Sequence, residues 1–435
     1  MISMKESNPS ILVLSSVSPT IGPAIIGEQI YEALKRKGLD VDFMTKYPEP
    51  NHPEYLWVVR RENSIKKLFL RIVNKIRWFC AGVKYIQPGY FFFYTYEDKP
   101  PVPSSCVLKV IKKKYDLVII VFWQELLSFK TVEQIYDKLH CQIQFGGVDY
   151  SHMSGGCHFT GECQNYKTGC GMCPAFHSKL KNDFTAWNVK YRKRVYKKVK
   201  PVVWGNLYMS QFYKESFLLK EARIEIGGSP IIDTDTFRPL DKNELRKKFD
   251  ISDEKKYVIF FGCQNLDDER KGIRYFFEAL VYLKQMMGAS SDSVLVVTAG
   301  KDYEKIKKHI PFDSRGFGYV SMHELPELYS VASCFVCSSI NDAGPMMVNQ
   351  SLCCGTPVVG FDMGAVKQVV KNHGSGICVP LKDSRGLAEG ILQILRMAEE
   401  DYQMMSQRAR EIALATSSYE AHADSILSTF RKYKN

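Results

Sequence analysis

The 435-residue sequence contains no apolar run approaching the ~20 residues of a membrane-spanning helix. Its opening stretch, MISMKESNPSILVLSS, lacks a basic region followed by a long apolar core. These absences argue against a helical membrane span and a secretory leader, and the expectation is a cytoplasmic chain. In that compartment thiols stay reduced, so clustered cysteines are metal ligands or packed thiols more often than disulfides. Two CxxC pairs at finger or ribbon spacing are also missing, which weakens a zinc-finger reading.

The composition is that of an ordinary globular protein, 45% hydrophobic and 24% charged. The length exceeds one ordinary core and suggests two domains. The formal net charge of +12 implies an anionic partner: nucleic acid, a nucleotide or an anionic membrane surface. Lys and Arg gather at 60–77, 107–114 and 190–200, all in the first half. Solvated helix faces suffice to explain the last two.

Strand-type runs alternate with helical periodicity. ILVLSS (11–16) precedes the loop VSPTIGP and a segment in which Ile26, Ile30 and Leu34 recur at helical spacing before Gly38. VDFM, DLVIIVF, CQIQFGG and VVWGN continue the series. After a charged, turn-rich stretch at 229–256 it restarts with YVIFFG. A helix follows with Ile273, Phe276, Phe277, Leu280 and Leu283 on one face, and then SVLVVTAG, GFGYV, CFVCSS and TPVVGF. This is an α/β chain of two doubly wound, Rossmann-like domains meeting near residue 230, with a ligand expected at the carboxyl ends of the strands, in the cleft between domains.

Two stretches carry chemistry in the second half. FFGCQNLDDERKGIRYFFEAL places Arg270, Lys271 and Gly272 at a helix start, a plausible diphosphate cradle. SSINDAGPMMVNQSLCCGTPVVGFDMGAVKQVV (338–370) reads strand, acidic turn, Gly-Pro loop, helix, strand, Gly-rich turn, helix. Together with HELPELYSVASCFVCSS before it, this stretch resembles the nucleotide-sugar site of glycosyltransferase family 4, retaining enzymes of the GT-B architecture. The resemblance implies roles. Lys271, helped by Arg270, would hold the donor diphosphate. Asp342 and the backbone of Ala343, Gly344 and Pro345 would face the transferred sugar. Gln350 would contact the ribose, and backbone at 317–320, with Gly318 and Tyr319, the base. The family's two acidic positions fall on Asp342 and Gln350, so the second brings no charge here. No aspartate pair beside a strand is evident, which fits a metal-independent transferase needing no cofactor.

The first half would hold the acceptor. Gly22 occupies the family's strand-to-helix glycine loop, with Pro23 in place of a second glycine. SGGCHFTGECQNYKTGCGMCP (154–174) resembles a cysteine-rich insertion in polysaccharide-building members that follows a histidine-aspartate pair. Asp149 is present, giving a candidate catalytic set with Lys271 and Asp342, but Val148 stands at the histidine position. His152 and His158 are nearby, although a loop histidine is more often structural. Cys157, Cys163, Cys170 and Cys173 have a spacing able to enclose a structural zinc; packed reduced thiols remain an equal alternative. The other nine of the 13 cysteines read as core residues.

Within 64–84, Ile65, Leu68, Ile72, Ile76 and Phe79 interleave with Lys66, Lys67, Arg71 and Lys75, with Trp78 near the end. Such a helix suits an anionic membrane surface, or it packs its apolar stripe on a sheet. YFFFYTY (90–96) carries the same two readings. The resulting expectation is a retaining hexosyltransferase of polysaccharide assembly, peripheral on the inner face of the plasma membrane. It would take a UDP- or GDP-type donor and a lipid-linked or oligosaccharide acceptor, and no nucleic acid. The expected layout is an N-terminal domain over 1–230 with its insertion at 154–174, a C-terminal domain over 231–410, and a helix over 411–435 that the resemblance returns to the first domain. Two other readings stay open: a zinc-stabilised nucleic-acid-binding protein, and a nucleotide-sugar epimerase or hydrolase on the same architecture.

Overall fold

The computed structural model describes residues 8–16, 25–60, 72, 76, 86–87, 90, 92, 96–147, 149–227, 230–266, 268–342 and 344–434. Two compact units emerge. The first comprises Met1–Gly205, Met209–Gly228 and His422–Asn435; the second comprises Asn206–Tyr208 and Ser229–Ala421.

In the first unit, the described residues form a parallel sheet of order β3-β2-β1-β4-β5-β6-β7. Its strands are β1 (Ile11–Leu14), β2 (Val41–Thr45), β3 (Leu56–Trp57), β4 (Leu117–Ile120), β5 (Gln142–Phe145), β6 (Val202–Gly205) and β7 (Arg223–Ile226). β1 and β4 are paired centrally, Ile11 beside Leu117 and Leu14 beside Ile120. Every residue of ILVL and LVII is buried, as expected of strands covered on both faces. Trp123, just past β4, is 1% exposed and packs edge-on against Phe129 and Phe145, with centroids 5.9 and 5.5 Å away. Each such pair adds about 0.5–1.5 kcal/mol beyond area burial.

In the second unit, the described residues form a parallel sheet of order β10-β9-β8-β11-β12-β13. The strands are β8 (Tyr257–Asn265), β9 (Val294–Lys301), β10 (Asp313–Gly316), β11 (Cys334–Cys337), β12 (Val358–Phe361) and β13 (Gly376–Val379). The chain starts in the middle, steps outward from β8 to β10, then returns to lay β11 on the other side of β8. The order therefore reverses between β8 and β11, and the carboxyl ends of strands at such a reversal are where open α/β sheets bind ligands. Phe276, Leu280 and Leu283 of helix Ile273–Met287 are buried on the sheet as their spacing predicts. Phe277 is only partly buried and stacks on His309 with centroids 5.2 Å apart.

The main division, Gly228/Ser229, falls near the expected 230, whereas the chain returns to the first unit at His422 and not at 411. Helix Glu399–Ser417 stays with the second unit, because Arg410 donates to the carbonyls of Phe237 (2.6 Å), Cys353 (2.6 Å) and Thr234 (3.0 Å). Ser418 is extended (φ −65°, ψ 158°) and ends that helix. The next helix, Tyr419–Lys432, is tied to the first unit by Lys37–Asp424 and Lys432–Glu225, both 2.6 Å, and by Gln142 donating to the Phe430 carbonyl at 3.2 Å. The strand expected at GFGYV lies earlier, at Asp313–Gly316. Gly318 has φ +64° and its carbonyl accepts from Gly300 N–H at 2.7 Å, which turns the chain out of the strand.

Candidate functional site

Lys271 and Asp342 come from loops that follow β8 and β11, the two strands at which the sheet order reverses. Asp268 starts a short 3-10 turn, Glu269–Lys271, by accepting from Arg270 N–H at 3.0 Å. Its other oxygen pairs with the Arg270 guanidinium at 2.6 Å. Gly272 then takes φ +64°, and a Cβ there would lie 2.0 Å from the Ser338 carbonyl oxygen. Only glycine permits that approach. The two loops interlock: Ser338 Oγ donates to the Lys271 carbonyl (2.9 Å), and Ile340 N–H donates to the Arg270 carbonyl (2.8 Å).

This scaffold delivers the Lys271 ammonium to Asp342 Oδ2 as a hydrogen-bonded ion pair. Asp342 Oδ1 accepts from Gly344 N–H at 3.0 Å. Burial works against the charge on Asp342, yet the Lys271 ammonium and its hydrogen bond outweigh it and hold the carboxyl below its usual range. Burial likewise opposes the charge on Lys271, and Asp342 reverses that and holds the ammonium above the usual lysine value. Both groups are thus charged at neutral pH. They stand near the starts of helices Ile273–Met287 and Met346–Cys353, where partial positive charge and backbone N–H groups favour an anion. Gly364, at φ +51°, would place a Cβ 3.0 Å from Pro345 and 3.4 Å from the Asp342 carbonyl, so this loop also closes on a glycine.

Not every expected donor residue joins this cluster. Gln350 is a correction. It is 2% exposed, its Oε1 accepts from the Tyr329 hydroxyl at 3.1 Å, and its Nε2 lies 3.8 Å from Met322 Sδ. The amide expected on a ribose is turned into the core. Tyr319 is 66% exposed, and Gly318 has no neighbour near its Cβ position, so both are open. Ala343 and Gly22 lie outside the described residues. Sequence reasoning missed Asn206, whose side-chain nitrogen is 3.1 Å from where a Gly344 Cβ would sit. It also missed Ser338 and the need for Gly272; the only available signal for the latter was a glycine directly after two cations.

In the first unit, Asp149 follows the carboxyl end of β5 and is wholly buried. Its Oδ1 accepts from Ser151 N–H at 2.7 Å, and its Oδ2 lies 2.7 Å from His158 Nδ1. Burial raises the carboxyl, and the His158 hydrogen bond and charge more than offset that, leaving it below the usual range. Asp149, expected to be catalytic, is 0% exposed and hydrogen-bonded to His158. A histidine-carboxylate pair is therefore present although residue 148 is not histidine. The buried pair Arg192–Glu97 (2.6 Å) braces the segment, with Arg192 donating to the carbonyls of Ser151 and Ser154 at 2.5 and 2.6 Å. His152 is buried against Trp123, donates from Nε2 to the Gly146 carbonyl (2.9 Å), and burial pushes it down to about 4.

Cys157, Cys163, Cys170 and Cys173 are all reduced and line one small cavity of about 20 Å³ with Phe92, Tyr166 and Thr185. Burial pushes the thiols of Cys157 and Cys173 up to about 11 and 12, and that of Cys170 higher still. Among the described residues no group of three or more His, Cys, Asp or Glu is arranged to hold a metal ion. Of the basic amphipathic stretch at 64–84, only Ile72 and Ile76 are described; both are helical and exposed. Of 90–96, Phe92 is buried and packs on Phe176 and Phe184, as a core residue would. No helix among the described residues is long and apolar enough to cross a membrane.

Comparison with known proteins bears on the second unit. Residues 241–412 match the family model described as glycosyl transferases group 1. Over that stretch the second unit is similar to this family. N-acetyl-alpha-D-glucosaminyl L-malate synthase of Bacillus anthracis is 21% identical over 183 residues, covering 41% of this chain and 46% of that protein. D-inositol 3-phosphate glycosyltransferase of Mycobacterium marinum is 27% identical over 217 residues, covering 48% and 45%. The chain thus spans less than half the length of these curated relatives. Among solved structures, sucrose-phosphate synthase of Thermosynechococcus elongatus matches with a TM-score of 0.61 at 17% identity, over 97% of this chain and 98% of that one. Anabaena HepE, solved with UDP-glucose, matches with a TM-score of 0.59 at 12% identity, over 97% and 100%. The fold is GT-B: two Rossmann-like domains built on parallel sheets.

Proposed function

We propose that this protein is a retaining glycosyltransferase that moves a sugar from a nucleoside-diphosphate sugar to a glycan acceptor, a lipid-linked oligosaccharide of surface polysaccharide assembly. The observation that carries the reading is the Lys271–Asp342 ion pair at the reversal point of the sheet, inside the stretch that matches group 1 glycosyl transferases. The relative solved with UDP-glucose supports a UDP-type donor.

Each group has a job in that reaction. The Lys271 ammonium and the N-terminus of helix Ile273–Met287 stabilise the negative charge that grows on the diphosphate as the anomeric carbon–oxygen bond breaks. The Asp342 carboxylate, kept ionised by Lys271, accepts hydrogen bonds from hydroxyls of the transferred sugar. Gly344 lets backbone approach that sugar. The acceptor hydroxyl bonds to the anomeric carbon on the face the diphosphate leaves, and its proton passes to a departing phosphate oxygen. No step is assigned to a metal or to a dedicated side-chain base.

Thermal stabilisation of the full chain by UDP-, GDP- and dTDP-sugars tests the donor claim. A donor at 100 times its Kd adds about 2.7 kcal/mol to stability. NMR of the product then gives the anomeric configuration. An inverted product removes the retaining assignment, and no stabilisation by any nucleotide sugar overturns the reading.

A further inference from the structure

A cationic, apolar tip projects from the first unit just beyond the cysteine cavity, and the function proposed above does not use it. Between Glu162 and Glu215 the sequence holds eleven Lys and Arg residues and a single carboxylate, Asp183. Lys167, Arg192, Lys193, Arg194 and Lys198 pair with carboxylates outside this span, and Asp183 neutralises none of the others. It is 7% exposed, caps helix Phe184–Val199 through Thr185 N–H (2.9 Å) and accepts from Cys173 N–H (2.9 Å). Beside it the chain exposes Leu180 (69%) and Met172 (49%), and Trp187 (38%) lies on the first turn of the helix. Lys179, Lys181 and Lys190 are exposed among them, and Lys190 reaches back to Asn182 Oδ1 at 2.9 Å.

These apolar side chains are held outward by the backbone. Gly169, Cys170, Gly171 and Met172 take positive φ in succession (106°, 63°, 91° and 44°). Left-handed non-glycine residues each cost about 1–3 kcal/mol and persist only where neighbours over-determine them. Here Met172 N–H donates to the Leu180 carbonyl (2.8 Å) and Gly171 N–H to Thr185 Oγ1 (3.0 Å). The turn cannot roll Met172 and Leu180 inward without giving up those bonds.

We propose that this tip, Met172 and Leu180 ringed by Lys179, Lys181, Lys190 and Trp187, is a docking surface for an anionic lipid bilayer. The lysines meet the headgroup phosphates, Trp187 sits at the interface, and the two aliphatic side chains enter the acyl boundary. Aliphatic tips favour hydrocarbon over a nucleic-acid backbone, which would reward the lysines and leave Leu180 and Met172 in water. The inference deepens the reading of a lipid-linked acceptor, but its test does not depend on catalysis.

The test is co-sedimentation of the full chain with vesicles of phosphatidylcholine alone or mixed with phosphatidylglycerol, at low salt. Wild type should pellet with the anionic vesicles only. Lys179→Gln and Lys181→Gln should each weaken binding about fivefold, at roughly 1 kcal/mol per lysine. The pair Met172→Ser with Leu180→Ser should weaken it about tenfold while the melting temperature of the ligand-free chain stays at the wild-type value, showing a folded chain. A wild type that ignores anionic vesicles overturns the proposal, as does undiminished binding by the double serine variant. A chain that leaves the vesicles for an added oligonucleotide also overturns it. If the vesicle results hold but no nucleotide sugar stabilises the chain, it is the glycosyltransferase reading that fails.

Discussion

Replacing Lys271 with methionine leaves the Asp342 carboxylate, 8% exposed, with no ammonium beside it. Breaking a buried pair from one side costs about 3–5 kcal/mol. A quarter of the Lys271 side chain is exposed, so water screens part of that charge and about 2–3 kcal/mol is the appropriate figure. Asp342→Asn should cost less, because a long ammonium can turn toward solvent more easily than a short carboxylate. The double variant removes both charges and should recover about 2 kcal/mol relative to the sum of the singles. The sign with pH follows from Asp342 lying below its usual range. Its stabilising contribution is present above the unfolded carboxyl value of ~3.9 and is lost as pH falls through the folded value; Lys271→Met abolishes that slope. Urea denaturation of the four proteins at pH 7 measures the cycle. Single variants within about 0.5 kcal/mol of wild type, or strictly additive effects, would refute the claim that these groups form one charged unit.

Gly272→Ala should lower stability and donor affinity together, because its Cβ would lie 2.0 Å from the Ser338 carbonyl and displace the Lys271 loop; nucleotide titration of the variant checks this. His152 is held neutral, shifted from 6.5 to about 4, whereas the unfolded chain binds its proton below ~6.5. Stability is therefore complete above that pH and falls by about 2 kcal/mol between pH 7 and pH 5, and a His152→Gln variant should show a correspondingly flatter profile in chemical denaturation. Arg192→Ala should destabilise by about 3–5 kcal/mol by stranding Glu97, which Glu97→Gln in the same chain should partly restore. Cys157, Cys170 and Cys173, all pushed well above the ordinary thiol range, should react slowly with iodoacetamide at pH 8, and mass spectrometry of the labelled native protein reads this.

Much of the fold is legible because parallel strands covered on both faces are continuous apolar runs. ILVL, LVII and YVIFFG announce themselves through burial alone. The edge strands were not visible in the sequence: RIEI at 223–226 is half-exposed and DSRG at 313–316 is largely exposed, so neither has an apolar signature. The unit boundary at 421/422 was also hidden, since it depends on Arg410 reaching three distant carbonyls. At the site, motif order located Lys271 and Asp342 separately, and only the fold shows them paired. Gln350 misled because a helical pattern does not say which face meets the core, and here Tyr329 claims the amide. His158 gave the weakest signal of all, a histidine in a cysteine-rich loop whose carboxylate partner sits nine residues earlier.

The most direct test of the central claim is calorimetric titration of UDP into wild type and into Lys271→Gln. Losing one charge-assisted hydrogen bond costs about 1.5–3 kcal/mol, so the variant should bind roughly 10- to 100-fold more weakly while keeping its fold. Equal affinity in the two proteins would contradict the account, because the diphosphate would then lie away from the ion pair at the reversal of the sheet.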